Sequence, residues 1–205
     1  AAQVPFLLLF MRVDAEQSLN LVRARSFGIL IAQGAEGPLA SHIPFLLSDD
    51  GSVVEFHLVR NSAMARAITD GAPVRLIVEG PEGYVSPDWY AVADQVPTWN
   101  YVAVHLVGEA RLTAEDGFRD LLDRLSAHFE ARLLPKRPWT SDKMTEGVME
   151  RMMRGIVPCA MRVSDLQSTW KLGQNKSEDA RAGAAEGLEG QGNKELAELM
   201  LNPPA

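Results

Sequence analysis

The stretch from Gly80 to Gly108 holds the densest collection of side chains able to engage a small molecule. Gly80-Pro81-Glu82-Gly83-Tyr84-Val85-Ser86-Pro87-Asp88-Trp89-Tyr90 is followed by Val96-Pro97-Thr98-Trp99-Asn100-Tyr101. These 22 residues thus carry two tryptophans, three tyrosines and three prolines among short polar side chains. Rigid aromatics with interspersed donors suit a planar heteroaromatic ligand, because the rings stack while amide and hydroxyl groups read its edge. The same composition also serves a proline-stiffened loop that buries its aromatics in a core or dimer interface. Composition alone does not separate the two.

Other chemistry-bearing residues are more scattered. His42, His57, His105 and His128 are too far apart in sequence to form a local metal motif, and no cysteine cluster accompanies them. His42, His57 and His105 each sit in a strand-like run and so can converge in space. A satisfied polar residue or a contact to an organic ligand is expected of them before a metal ligand. Cys159, beside Pro158 in an apolar run, reads as a core residue. There is no Gly-x-Ser-x-Gly elbow, no His-Glu-x-x-His and no Gly-x-Gly-x-x-Gly after a strand. Gly187-Leu188-Glu189-Gly190-Gln191-Gly192-Asn193-Lys194 superficially resembles a phosphate-binding loop. The lysine, however, does not follow the glycine and no apolar strand precedes it.

The elements that must position these residues are mostly short strands. Apolar runs at Gly28–Ala32, Leu39–Leu47, Val53–Leu58, Pro73–Val78, Tyr84–Val85 and Tyr101–Val107 are separated by turn signals such as Ser48-Asp49-Asp50-Gly51-Ser52 and Gly80-Pro81. Strands at this spacing predict a small antiparallel barrel or sandwich. Pro44 within a run implies an edge, a bulge or a strand ending there. Met64, Ala67 and Ile68 have helical spacing, with a stop at Asp70-Gly71. Phe118, Leu121, Leu122, Leu125 and Phe129 form the apolar stripe of an amphipathic helix over Asp116–Arg132. Met144–Arg154 reads as a second such helix, Ile156–Val163 as a strand, and Lys194–Leu201 as a last helix. Between Asn175 and Lys194 the composition turns rich in Ala, Gly and Glu.

Length and composition bound the classes. The chain has 205 residues, 46% hydrophobic and 23% charged, which excludes a collagen, a coiled coil and a wholly disordered polypeptide. With 20 basic and 27 acidic side chains the net charge is −7, which opposes a surface built mainly to neutralise DNA phosphates. One cysteine fits a reducing compartment and no internal disulfide. The apolar run Pro5-Phe6-Leu7-Leu8-Leu9-Phe10-Met11 lacks a cationic stretch before it and is too short to span a bilayer. It is expected to be a buried strand or docking segment, and the protein to be cytoplasmic.

Three strings, Tyr84-Val85-Ser86-Pro87-Asp88-Trp89-Tyr90, Val96-Pro97-Thr98-Trp99-Asn100-Tyr101-Val102-Ala103-Val104-His105 and Trp170-Lys171-Leu172-Gly173-Gln174-Asn175, resemble the PaiB-type FMN-binding negative transcriptional regulators. Ser41-His42-Ile43-Pro44-Phe45-Leu46-Leu47 matches as well, and in order and spacing the likeness runs from about Ser18 to Leu201. It implies a mainly β (α+β) fold, an FMN-binding split β-barrel with peripheral helices, related to the pyridoxine-phosphate oxidase architecture. The expected organisation is a barrel domain over 1–175 with a helical insertion at about 114–154, and a helical tail over 176–205 packed on the same domain. The family likeness also implies a homodimer with FMN at the subunit interface.

The resemblance assigns candidate FMN contacts residue by residue. Arg60 is the expected phosphate partner, with Asn61 and Ser62 beside it. The family has an Arg, an Asn and a Pro here, whereas this chain has Asn61 one position early, Ser62 at the Asn position and Ala63 for the Pro. His42 and His57 flank the same region; His42 is assigned to the phosphate or a flavin edge. Thr98, Trp99 and Asn100 are placed near the isoalloxazine or ribityl chain. Lys171, Gln174 and Asn175 either reach the site from the partner subunit or fix the tail, with Gly173 where Ser is usual. Ala32 replaces an expected Thr in the first strand. Regulation through FMN is the leading expectation. The alternatives are a flavin-dependent oxidoreductase, with Tyr101 and His105 as candidate acid–base groups, and an interaction module with a relict pocket. Direct DNA contact is not expected, since no helix-turn-helix pattern is present and the chain is acidic.

Overall fold

A computed structural model of the chain describes residues 14–204. The apolar run Pro5–Met11 lies outside the described residues. Six strands, β1 (Phe27–Gly34), β2 (Gly37–Leu47), β3 (Val53–Val59), β4 (Ala72–Val85), β5 (Thr98–Leu112) and β6 (Ile156–Lys171), join in the order β1-β2-β3-β6-β5-β4 and close into a barrel. β1 pairs with β2 and β4, and β3 with β2 and β6, each time antiparallel. The mixed α+β split barrel with peripheral helices is therefore as expected.

Closure works because each strand alternates. Leu30 and Ala32 of β1, Val54, Phe56 and Leu58 of β3, and Val74, Leu76 and Val78 of β4 are buried, while the residues between them are partly exposed or outward. Phe45 and Phe56 sit opposite each other in the β2–β3 register and are both fully buried, each contributing about 1.5–3 kcal/mol of transfer free energy. Pro44 pairs with Phe27, the last β1–β2 pair, and the β2–β3 pairing begins at the next residue. The proline thus stands where β2 changes partners, within a strand that continues to Leu47 rather than ending there.

Six helices flank the strands: α1 (Ala15–Arg25), α2 (Ala63–Ala67), α3 (Phe118–Glu130), α4 (Val148–Met153), α5 (Glu178–Gly190) and α6 (Lys194–Leu201). Two of them do not follow from periodicity. α1 lacks an apolar stripe but has Glu16 in its first turn and Arg23 and Arg25 in its last, the signs the helix dipole favours. α5 holds three glycines, which weaken propensity, yet Ser177 caps it by accepting from the Ala180 amide and Glu178 and Asp179 occupy its first turn. The segment resembling a phosphate-binding loop is the junction between α5 and α6, where Asn193 caps α6 by accepting from the Leu196 amide. Gly80-Pro81 does not end a strand: β4 runs through it, so two expected strands are one.

The described residues divide into two compact units, one of Val22–Val78 and His105–Leu166, the other of 14–21, Glu79–Val104 and 167–204. In the first unit, α3 lays Phe118, Leu121 and Leu125 against Leu46, Met153 and Ile156. In the second, α5 and α6 bury Ala184, Leu188, Leu196 and Met200 with Val85, Tyr90, Val102, Trp170 and Leu172. Trp170 donates its indole N–H to the buried Ser18 hydroxyl over 3.1 Å. Cys159 is 1% exposed, its thiol directed at the Val157 carbonyl, and burial pushes its pKa up to about 12.

Gly108 of β5 marks the tightest backbone approach. A Cβ there would lie 2.9 Å from the Arg162 carbonyl carbon and closer still to its oxygen. Gly108→Ala is expected to cost about 3 kcal/mol, as overpacking of a barrel seam does, and to lower Tm by roughly 10 °C in a chain of this size. An unchanged Tm in thermal unfolding would show that the seam is not tight.

Candidate functional site

Within the unit that contains Glu79–Val104 and 167–204, the aromatic segment divides by alternation and by cap. Ser86 accepts from the Asp88 amide and starts a 3-10 turn, Pro87–Tyr90, in which proline sits in the first turn. Tyr90 is buried, so burial pushes its phenol pKa up, and a hydrogen bond with Asn100 opposes that rise. On β5, Asn100 and Val102 face inward, whereas Trp99 and Tyr101 face outward. Trp99 is 50% exposed and Tyr84 47%, their ring centroids 6.2 Å apart at 60°. The Trp99 indole N–H donates to Glu82 Oε2 over 2.5 Å, so this exposed ring is held at its polar edge. The region therefore serves both readings of its composition: Tyr90 is core, while Tyr84 and Trp99 present their rings to solvent.

The third string is tied both to β5 and to its own turn. Lys171 Nζ donates to Thr98 Oγ1 over 2.7 Å, joining the end of β6 to the start of β5. Asn100 is 1% exposed and its amide donates to Met200 Sδ over 3.3 Å. Gln174 closes its own turn, accepting from the Leu172 amide and donating to the Trp170 carbonyl. Gly173 holds a φ of +75°, which a serine at this position would adopt only with strain. Asn175 is exposed. Thr98, Asn100, Lys171 and Gln174 thus have polar partners in the fold, and Trp99 offers a ring face.

The remaining candidates belong to the other unit. His42 is exposed on β2 and stacks on Phe27, centroids 6.2 Å apart and planes 26° apart. His57 lies half-buried on the outward side of β3. Its Nδ1 is buried with no hydrogen-bond partner among the described residues, and burial holds its pKa below the ordinary value. Ser62 caps α2, its hydroxyl accepting from the Ala65 amide, and the Asn61 carbonyl accepts from Arg66 Nη1. Arg60 donates from Nε to the Arg154 carbonyl and from Nη2 to the Ile156 carbonyl and the Glu115 carboxylate, all within 2.8–2.9 Å. It therefore caps the C-terminus of α4, and a phosphate would compete there with Glu115. His105, on the outward side of β5, accepts at Nδ1 from Arg75 Nη1 over 3.0 Å. Burial first, and the Arg75 charge second, keep its imidazolium disfavoured.

Each unit holds donors that suit part of a flavin nucleotide. In one, Trp99 and Tyr84 offer faces to a planar ring, and Thr98, next to Trp99 in sequence, joins Lys171 to supply a hydroxyl and a cation. In the other, His57 Nδ1 has no polar partner among the described residues. Three participants escape a reading by motif: Arg75, which orients His105; Glu82, which orients Trp99; and Lys176, which donates to Gln95 and lies 5.3 Å over the Tyr90 ring. Arg75 had a signal, being a charge between the buried Val74 and Leu76, but its partner is 30 residues away.

Residues 9–165 match the model of the family described as "Putative FMN-binding domain". The chain is 31% identical over 196 residues to protease synthase and sporulation protein PAI 2 of Bacillus subtilis, covering 93% of each. It is 25% identical over 226 residues to an uncharacterized protein of Emericella nidulans, covering 88% of this chain and 90% of that one. Among solved structures, the FAD and heme binding protein from Mycobacterium smegmatis superposes with a TM-score of 0.57 at 20% identity, over 79% of this chain and 73% of that one. The flavocytochrome Anf3 from Azotobacter vinelandii gives 0.56 at 17%, over 86% and 77%. At these identities the structural likeness concerns the fold.

Two tests follow from the geometry. Arg60→Ala removes two carbonyl bonds and a half-exposed ion pair; the expected loss of stability is about 1–2 kcal/mol, mostly from the uncapped carbonyls, measured by urea unfolding. A loss near zero would show that Arg60 does not secure α4. For pH, burial disfavours protonation of His57, His105 and His128 only in the folded state, so the unfolded chain binds protons first. Stability is full above the ordinary histidine value of 6.5 and declines as pH falls below it. His105→Gln should flatten that decline in Tm, and a Tm that rises on mild acidification would contradict the assignment.

Proposed function

The chain belongs to the FMN-binding domain family, and on that premise we propose that it is a cytoplasmic, homodimeric FMN protein acting as a negative transcriptional regulator. FMN is the family's cofactor. When bound it supplies a redox-active isoalloxazine ring, and the protein's part is to hold and tune that ring. The observation that carries the reading is the half-exposed Tyr84–Trp99 pair, fixed at Glu82, with the Lys171–Thr98 pair at the adjoining position of β5. Trp99 would cover the ring face, and Thr98 and Lys171 would donate to its polar edge or the ribityl hydroxyls. Asn100, Gln174 and Asn175 would shape the wall behind them. In the other unit, His42, His57, Asn61, Ser62 and Arg60 would serve a phosphate, Arg60 by exchanging Glu115 for the anion. In this proposal 1–175 is the flavin domain, with 114–154 as its insertion and 176–205 as a tail packed on it.

Regulation is favoured over a metabolic role by the relative whose name refers to protease synthesis and sporulation. The charge of −7 favours action through a ligand, redox state or protein partner over unaided contact with an operator. The neighbouring exposed rings of Tyr84 and Trp99 support the dimer, since contiguous apolar surface marks an interface. No helix among the described residues is long and apolar enough to cross a membrane.

The test is an FMN titration of the purified protein, followed by absorbance. Bands at roughly 370 and 450 nm, sharpened on binding because the protein tunes the ring's electronics, are expected. Trp99→Ala should weaken affinity about tenfold, the scale of one lost stacking contact. A protein that takes up no FMN refutes the cofactor assignment, and rapid reduction of bound FMN by NAD(P)H would replace the regulator with an oxidoreductase.

A further inference from the structure

The residues proposed to face the flavin ring, Thr98 and Trp99, follow a segment with little burial of its own. Ala91 to Asp94 are exposed, Val92 is 53% and Val96 72% exposed, and Pro97 is exposed. Ala91 and Asp94 hold φ angles of 50° and 60°, a left-handed conformation that non-glycine residues keep only where the surroundings impose it. Ala91 closes the 3-10 turn, its amide donating to the Asp88 carbonyl; further anchors of the segment lie after residue 165, beyond the part of the chain that matches the family.

Three anchors come from that later segment. At the front, Trp89 lies against α5, which presents two glycines one turn apart. A Cβ at Gly187 would fall 2.7 Å from Trp89 Cε2 and Cε3 and closer still to Cδ2, and one at Gly183 would collide with the Trp89 carbonyl oxygen. Only a bare helix face admits the indole. In the middle, Lys176, in the turn before α5, donates to the Gln95 side-chain oxygen and sits over the Tyr90 ring. At the end, Lys171 holds Thr98.

We propose that Trp89, its indole seated on Gly187 and its carbonyl on Gly183, is a positioning lock through which α5 pre-orders the 89–97 segment and so presents Thr98 and Trp99 to the flavin. This rests on the FMN reading given above. A segment ordered before binding spares the ligand the entropy of ordering it, so the lock acts on cofactor affinity although neither glycine touches the ring site. Gly183, Gly187 and Trp89 are thus positioning residues.

The experiment is a bump-and-hole cycle with two readouts on the full chain: FMN affinity, and amide hydrogen exchange of residues 89–97 in flavin-free protein. Gly187→Ala adds a methyl group inside the indole and should weaken FMN binding about tenfold and speed exchange of 89–97. Trp89→Leu alone should weaken binding about threefold, and the double variant should bind like Trp89→Leu, because the methyl group costs nothing once the ring is gone. A merely destabilising methyl group would give summed losses, and that result overturns the proposal, as does unchanged affinity with unchanged exchange. Should Gly187→Ala not fold, Lys176→Met removes the middle anchor without adding bulk. It must also speed exchange and weaken binding, and wild-type values for both overturn the proposal. If the wild-type chain takes up no FMN while the exchange pattern follows the cycle, the lock stands and its service to a flavin is refuted together with the FMN reading.

Discussion

Closure of the β-ladder is the constraint on which the other features depend. In a barrel of six strands every strand has two neighbours, so no strand can spare an edge and each must give one whole face to the interior. The alternation of Val54, Phe56 and Leu58 against His57 and Val59, and of Asn100, Val102 and Val104 against Trp99 and Tyr101, follows from that demand. The seam at Gly108, where a methyl group would run into the Arg162 carbonyl, shows how close the strands come once the ring is shut. Polar and aromatic chemistry is thereby displaced outward and to the strand ends.

That displacement explains why several candidate residues carry structural duties. Arg60 is a cap for α4 before it is anything else, Ser62 caps α2, and Gln174 closes its own turn. Each of these satisfies backbone groups that would otherwise be orphaned at element ends. Trp99 differs: only its indole N–H is committed, and its face is not. His57 differs in the opposite sense, having a buried nitrogen for which the fold supplies no partner. Groups of these two kinds are where a protein of this fold has capacity left for a ligand.

Strands were legible because their period is two and their turns carry Gly, Pro, Asp and Ser. Val53–Leu58 and Lys194–Leu201 read directly, and the stripe from Phe118 to Phe129 placed α3 to within two residues. α5 was illegible in its own composition, although the family likeness implied a helical tail over 176–205, because its contribution comes from what it lacks. Gly183 and Gly187 look like loop formers until Trp89, nearly a hundred residues earlier, is seen to occupy the space they leave. β4 was split in two because Gly80-Pro81 breaks most strands, yet here Pro81 is buried within a continuous one. For the site, motif resemblance found the ring-bearing string but not Arg75, Glu82 or Lys176, whose roles depend on partners far away in the chain. Arg60 was legible as a cation just after β3, but its carbonyl partners at 154 and 156 were not.

The burial of Cys159 has a consequence for following this molecule in solution. The chain's single sulfhydryl sits on the inward side of β6, with a pKa lifted to about 12, so alkylating reagents find neither access nor thiolate while the barrel is shut. Each modification event then records one excursion in which strands part far enough to expose β6. Alkylation kinetics therefore time barrel opening without any engineered label, and loss of the native mass peak becomes a clock for the slowest breathing of the fold.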